Sequence, residues 1–276
     1  MISFQKGSEG FELEFPIDRK QFKLLQGSNT PDHNLISVRV GNDHGYNLPD
    51  DLCNETQIQQ SLTEILKVRE EVENDIFPRW FMELYYPAEW GTFPQEIPEP
   101  LANSHLTFNL TEPLSFNNPK GLASVVEMDH TTDLGRIILD WLISEKAEFP
   151  ESKTKGFDFV SAVPKQHEKV NKLISEFMEI AFEMKYFFGV ARPEEVAGEN
   201  ITAYDEGCPS HPSYPAGHGA ASFATVIYFI KEWNLTEEQT KILFDCAYIW
   251  AMARSLAGVH YGVDNCVFMP SKSDLE

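Results

Sequence analysis

Between Ile174 and Asp264 the chain carries only five lysines or arginines: Lys185, Arg192, Lys231, Lys241 and Arg254. Three of them stand in apolar and aromatic company. Lys185 lies in Met-Lys-Tyr-Phe-Phe-Gly, Arg192 in Val-Ala-Arg-Pro, and Arg254 in Trp-Ala-Met-Ala-Arg-Ser-Leu-Ala. A cation buried in such surroundings needs a carboxylate or a bound anion, because an unpaired charge in a low-dielectric interior is costly. Lys185 and Arg192 are about two helical turns apart, so a helix running on past Gly189 would present both from one face. Either residue alone could equally snorkel to the surface along its apolar stem.

Two histidines join these cations. The run from Cys208 to Ser222, Cys-Pro-Ser-His-Pro-Ser-Tyr-Pro-Ala-Gly-His-Gly-Ala-Ala-Ser, is a proline-spaced loop entering an Ala-rich helix, and it delivers His218 near the helix N-terminus. Gly217 allows a close approach of backbone to ligand, and the free N–H groups of a first helical turn favour an anion. A histidine at a helix start more commonly caps or packs. In Arg254-Ser-Leu-Ala-Gly-Val-His260-Tyr-Gly-Val-Asp264, Gly258 can break the helix so that Arg254 and His260 converge. On an unbroken helix they would point about 120° apart. Asp264 can hold the second ring nitrogen of His260, fixing its tautomer and raising the basicity of the other. The plainer alternative is a surface His–Asp pair worth a few tenths of a kcal/mol. Taken together, the segments describe a pocket for a tetrahedral oxyanion, phosphate or vanadate, with His218 and His260 placed to do chemistry on it.

The elements that must position these residues are helices. Val170, Leu173, Ile174, Phe177, Ile180, Ala181 and Met184 recur at helical spacing over Glu168 to Gly189, with Phe157 to Val163 as a connector before them and Pro193 as a stop. His218 to Trp233 and Glu237 to Ala257 read as two more helices. Upstream, Val125, Val126, Leu134, Ile137, Ile138, Trp141 and Leu142 predict a central helix from Gly121, apolar on more than one side. Residues 1–115 read as a loop-rich part with brief strands at Phe11 to Phe15 and Leu35 to Val40. One helix falls within it, Glu55 to Phe77, with Ile58, Leu62, Ile65, Val72 and Ile76 on a stripe that Arg69 interrupts. The expected architecture is a mainly α, single compact domain of 276 residues, with residues 116–276 forming the bundle that carries the site.

A formal charge of -21, from 43 acids against 22 Lys plus Arg, argues against nucleic acid and anionic membranes as partners. No run of eighteen apolar residues occurs and the N-terminus lacks a signal-peptide core, so the expectation is a cytoplasmic or Sec-independent protein. Cys53, Cys208, Cys246 and Cys266 are scattered, with free thiols expected and a single bridge involving Cys208 left open.

Lys-x6-Arg-Pro, Pro-Ala-Gly-His and Arg-x5-His-x3-Asp in this order resemble the signature of the superfamily joining vanadium-dependent haloperoxidases to type 2 phosphatidic acid phosphatases and related acid phosphatases. The resemblance covers roughly the last 100 residues. It implies that Lys185, Arg192 and Arg254 hydrogen-bond the equatorial oxygens of a bound oxyanion, with the Gly217 N–H adding a donor. It also implies that His260 binds the central atom and that His218 is the acid and base. His211-Pro-Ser-Tyr-Pro is similar to the bromoperoxidase form of the loop, in which a histidine at the place of His211 borders the halide pocket; a plain proline-turn histidine is the alternative.

The implied cofactor is vanadate, a Lewis acid that passes an oxygen atom from hydrogen peroxide to bromide or iodide; the released oxidant then halogenates a small organic acceptor. A phosphatase working through a phosphohistidine at His260 is the second reading, and a non-catalytic oxyanion-binding protein the third. The chain departs from the family pattern at Ala216, where a serine hydroxyl usually donates to the anion, and in having only twelve residues after Asp264. The shortened end suggests packing supplied by a partner subunit, and a homo-oligomer is implied by the resemblance alone. Glu127, Asp129 and Asp133 are candidates for an upstream carboxylate that orients His218.

Overall fold

A computed structural model describes residues 3–7, 10–14, 48–104, 112–125, 133–147, 159–198 and 211–275. Near the N-terminus an antiparallel hairpin pairs β1 (Ser3–Gly7) with β2 (Gly10–Glu14), in a register that sets Phe4 opposite Leu13. Leu35 to Val40 lies outside the described residues. The remainder of the described chain is mainly helical.

Helix α1 (Glu55–Glu73) starts at Asn54, whose side chain accepts from the Gln57 N–H at 3.1 Å, a standard N-cap. Its buried stripe is Ile58, Leu62, Ile65, Val68 and Val72. The polar interruption has a use: Arg69 reaches across to the Leu256 carbonyl at 3.1 Å, at the end of the helix that carries Arg254. Because α1 ends at Glu73, before the turn at Asp75, Ile76 is not on the stripe and is exposed.

Short helices follow, α2 (Arg79–Leu84) and α3 (Glu99–Ala102), with a 3-10 turn at Ala88–Trp90 between them. Three prolines of this part, Pro78, Pro87 and Pro98, sit at the starts of these elements, where a missing N–H costs nothing.

The expected central helix is seen as α4 (Pro119–Val125) and α5 (Asp133–Ser144), with residues 126–132 outside the described set. Helix α6 (Phe159–Phe188) is longer than its periodicity suggested: Phe159 to Val163 is helix, not connector, and Pro164 is accommodated near the start, where it removes one intrahelical donor. It stops at Phe188 because Gly189 takes φ +62°, the left-handed C-terminal conformation that glycine adopts freely. Pro193 therefore does not end α6; it is the first residue of α7 (Pro193–Ala197).

Helix α8 (Gly217–Glu232) is buried along most of its length and packs between α6 and α9 (Glu237–Leu256). Thr236 and Gln239 form a reciprocal cap at the start of α9. Gly258, with φ +82°, turns the chain after α9 into a 3-10 turn at Gly262–Asn265, and α10 (Lys272–Leu275) closes the described chain. One hydrophobic core runs from Leu48 to Phe268. It includes aromatic contacts between the 80–93 segment and α9, with Trp90 stacked on Phe244 at 3.9 Å and the Tyr248 hydroxyl donating to the Met82 carbonyl at 2.6 Å. Cys53, Cys246 and Cys266 are free thiols, and Cys208 lies outside the described residues. Among the described residues no helix is long and apolar enough to cross a membrane.

Candidate oxyanion site

Lys185, Arg192, Ser213, Arg254, His260 and Asp264 are all buried. Their elements are the last turn of α6, the start of α7, the loop before α8, the last turn of α9 and the 3-10 turn beyond it. Lys185 and Arg192 do meet, but not from one helical face. The turn at Gly189 ends α6, Arg192 has extended backbone, and both side chains converge on the 211–213 segment.

Each cation has a definite role in holding that segment. Lys185 Nζ donates to the carbonyls of Pro212 at 2.8 Å and Ser213 at 2.7 Å. Arg192 donates through Nε to the His211 carbonyl at 2.9 Å and through one terminal nitrogen to the Val259 carbonyl at 2.8 Å. The same terminal nitrogen lies 3.3 Å from His260 Nε2, and the other lies 3.1 Å from His211 Nδ1. As an arginine only donates, His260 Nε2 accepts from it, while His211 Nδ1 stands between this donor and the Pro212 carbonyl at 3.2 Å. His211 is half-buried, its ring edge-on to Phe182 at 5.0 Å.

The opposite nitrogen of His260, Nδ1, is 2.9 Å from Asp264 Oδ2. That oxygen also accepts from the Tyr261 N–H at 3.0 Å and, in a very short bond, from the Ser213 hydroxyl. Ser213 Oγ is itself 3.3 Å from His260 Nδ1. His260 is thereby fixed with its proton on Nδ1 and its lone pair on Nε2, aimed at Arg192. Ser213 is the functional residue that motif reasoning did not single out. Its one signal in the sequence is its position between His211 and His218 in the proline-spaced loop.

His218 stands in the first turn of α8, and its Nε2 is buried with no hydrogen-bond partner. Ala216 occupies the N-cap position, where no side chain caps the helix, while its own N–H donates to the Asp264 carbonyl at 2.8 Å. The first-turn donors of α8 therefore lack the usual Ser, Thr or Asp oxygen. Close packing holds this end in place. A Cβ on Gly219 would sit 3.1 Å from the Asn265 carbonyl oxygen, and one on Gly217 would sit 3.1 Å from Met178 Cε.

Electrostatics follow from three cations packed around two imidazoles. Burial, and then the charges of Arg254, Lys185 and Arg192, hold His218 well below the usual histidine range. Burial and the same three cations, Arg192 foremost, do so for His260. Burial pushes Lys185 well below the ordinary lysine value; Arg192 and Arg254 add to this and Asp264 opposes it. Asp264 is raised by burial to about 6, against the pull of its Ser213 bond and of Lys185. Burial also lowers His211, to about 4. Both central imidazoles are thus neutral at neutral pH, in a pocket of positive potential.

A divalent cation does not suit this donor set: among the described residues no group of three or more His, Cys, Asp or Glu side chains comes together. One lone-pair nitrogen, three buried cations and an uncapped helix start suit a tetrahedral oxyanion such as vanadate or phosphate. Of the candidate carboxylates, Asp133 opens α5 as a first-turn acid, and Glu127 and Asp129 lie outside the described residues. No family model matches the chain, and no curated protein and no solved structure matches it.

Proposed function

We propose that the protein is a vanadate-dependent haloperoxidase that uses hydrogen peroxide to oxidise bromide or iodide and so halogenates small organic acceptors. The observation that carries the reading is His260, its Nδ1 held on Asp264 at 2.9 Å and its Nε2 facing a guanidinium 3.3 Å away, inside a cluster of three buried cations. Bound vanadate would supply a Lewis acid that polarises peroxide for oxygen transfer to halide. His260 Nε2 would hold it, with Lys185, Arg192, Arg254 and the Gly217 N–H donating to its oxygens. Lys185 spends two of its donors on the Pro212 and Ser213 carbonyls, which leaves the third of an ammonium for the anion. Arg192 stands 3.3 Å from the same nitrogen, and Ala216 leaves the first turn of α8 without a side-chain cap.

His218 is the proton acceptor in this reading. Its depressed basicity keeps the ring neutral at neutral pH, as a base that takes a proton from peroxide requires. His211, held by Arg192, borders the halide position.

A phosphatase of the same architecture is the second reading, favoured by the His260–Asp264 pair, which would serve equally to aim a nucleophilic nitrogen at phosphorus. It requires a protonated His218 for the leaving alcohol, so the negative charge of the substrate must raise that group above its ligand-free state. The test is to reconstitute purified protein with orthovanadate in phosphate-free buffer and follow halogenation of a phenol indicator with peroxide and bromide, iodide or chloride. A vanadate-dependent signal that His218→Ala abolishes is expected. Silence together with phosphomonoester hydrolysis that vanadate inhibits would move the protein to the phosphatase. Silence in both assays would leave an oxyanion-binding protein.

A further inference from the structure

The groups that would grip an oxyanion lie deep: Lys185, Arg192, Arg254 and His260 are buried. Near them stand side chains that are only half-buried, among them Met178, Phe182, His211 and His218. Met178 and Phe182 are four residues apart on α6, hence neighbours on one face, and Lys185 follows within the next turn. Phe182 meets His211 edge-on, Met178 Cε stands 3.1 Å from where a Cβ on Gly217 would sit at the start of α8, and Arg192 holds the His211 ring at Nδ1.

A tetrahedral anion seated on the deep donors must direct its remaining substituent outwards, past this rim. We infer that Met178, Phe182 and His211 form a subsite for an aromatic ring carried by, or delivered to, the bound oxyanion. The chemistry of the rim suits a ring better than an alkyl group. The Phe182–His211 pair is already edge-to-face, an arrangement a third ring extends, and a thioether makes favourable contacts with ring edges. The ring could belong to an aryl ester or to a phenol acceptor, and both would present the same face to the rim. This inference rests on the oxyanion reading and names a substrate class for it.

Calorimetric titration in phosphate-free buffer with inorganic phosphate, methylphosphonate and phenylphosphonate tests the subsite without turnover. Phenylphosphonate is expected to bind about 3- to 10-fold more tightly than methylphosphonate. Phe182→Leu and, separately, Met178→Ala should shrink that ratio towards one while leaving the affinity for inorganic phosphate unchanged. Equal affinities of the two phosphonates for the parent protein, or a ratio that survives both substitutions, would overturn the subsite while the oxyanion site stands. No binding of inorganic phosphate or orthovanadate to the parent protein would remove the oxyanion reading and the subsite with it.

Discussion

Asp264→Asn removes the carboxylate that opposes the cations around Lys185 while keeping the shape of the side chain. Asp264 Oδ2 accepts from His260, Ser213 and the Tyr261 N–H, and Oδ1 is buried with no partner. An asparagine oxygen could keep two of those bonds, but its amide nitrogen would then lie where Oδ1 lies, as an unsatisfied donor. Burial already favours the neutral form of Asp264, so the cost of the substitution is that of the buried unsatisfied amide donor, about 1–3 kcal/mol. At about 2 °C per kcal/mol for a chain of this size, the melting temperature in phosphate-free buffer should fall by roughly 2–6 °C.

The same reasoning fixes what phosphate should do. A dianion supplies the charge that the substitution removed, so saturating phosphate should raise the melting temperature of Asp264→Asn more than that of the parent. At 100 times its Kd a ligand contributes about 2.7 kcal/mol, enough to recover a large part of the loss. Thermal unfolding at zero and saturating phosphate measures both quantities. An Asp264→Asn protein as stable as the parent without phosphate would refute the cost assigned to the buried amide, and one that gains no more from phosphate than the parent would refute the view that this carboxylate offsets the buried cations.

Three further outcomes follow from the same geometry. Gly262→Ala places a methyl group inside the Tyr85 ring, which the Glu64 carboxylate holds at 2.8 Å, so the turn or the ring must shift at a cost of about 1–3 kcal/mol, read by denaturant unfolding. Ser213→Ala removes the hydroxyl donor to Asp264 and should cost about 1–3 kcal/mol of stability; orthovanadate affinity, followed by calorimetry, should weaken with it, and an unchanged affinity would show that the hydroxyl has no part in holding the His260–Asp264 pair. The third concerns pH. His218 and His260 are lowered from 6.5 in the folded state, so the unfolded chain binds more protons and stability is lost as pH falls through 6.5, by about 1.4 kcal/mol per unit for each imidazole. Part-exposed His211 adds a smaller loss in the same direction. Asp264, raised from 3.8 to about 6, takes up its proton earlier in the folded state and offsets one imidazole below about pH 6, so between about pH 6 and pH 4 unfolding curves should show the slope of one imidazole and not of two.

The main helices were legible because their signals are local. The stripe of α1, the long apolar face of α6 and the caps of α9 can each be read within a few turns. Errors arose where one residue type serves two purposes. Phe157 to Val163 read as a connector, yet α6 starts at Phe159 and takes Pro164 inside it, whereas Pro193 looked like a stop and starts α7. The glycine that ends α6, Gly189, decides both the helix length and the way Arg192 reaches the site, and its left-handed φ depends on the packing that follows it.

The site illustrates the same division at finer scale. Residue types and order were enough to gather Lys185, Arg192, Arg254, His218, His260 and Asp264, since buried charges demand partners whatever the exact path of the chain. How those charges spend their donors could not be read from spacing. It depends on carbonyls of Pro212, Ser213, His211 and Val259, which every residue possesses and no motif marks. For that reason the loop from His211 to Ala216 is held by the very cations that would bind the anion. Loading the site must therefore adjust the loop, and its tightness should respond to oxyanion occupancy as well as to sequence.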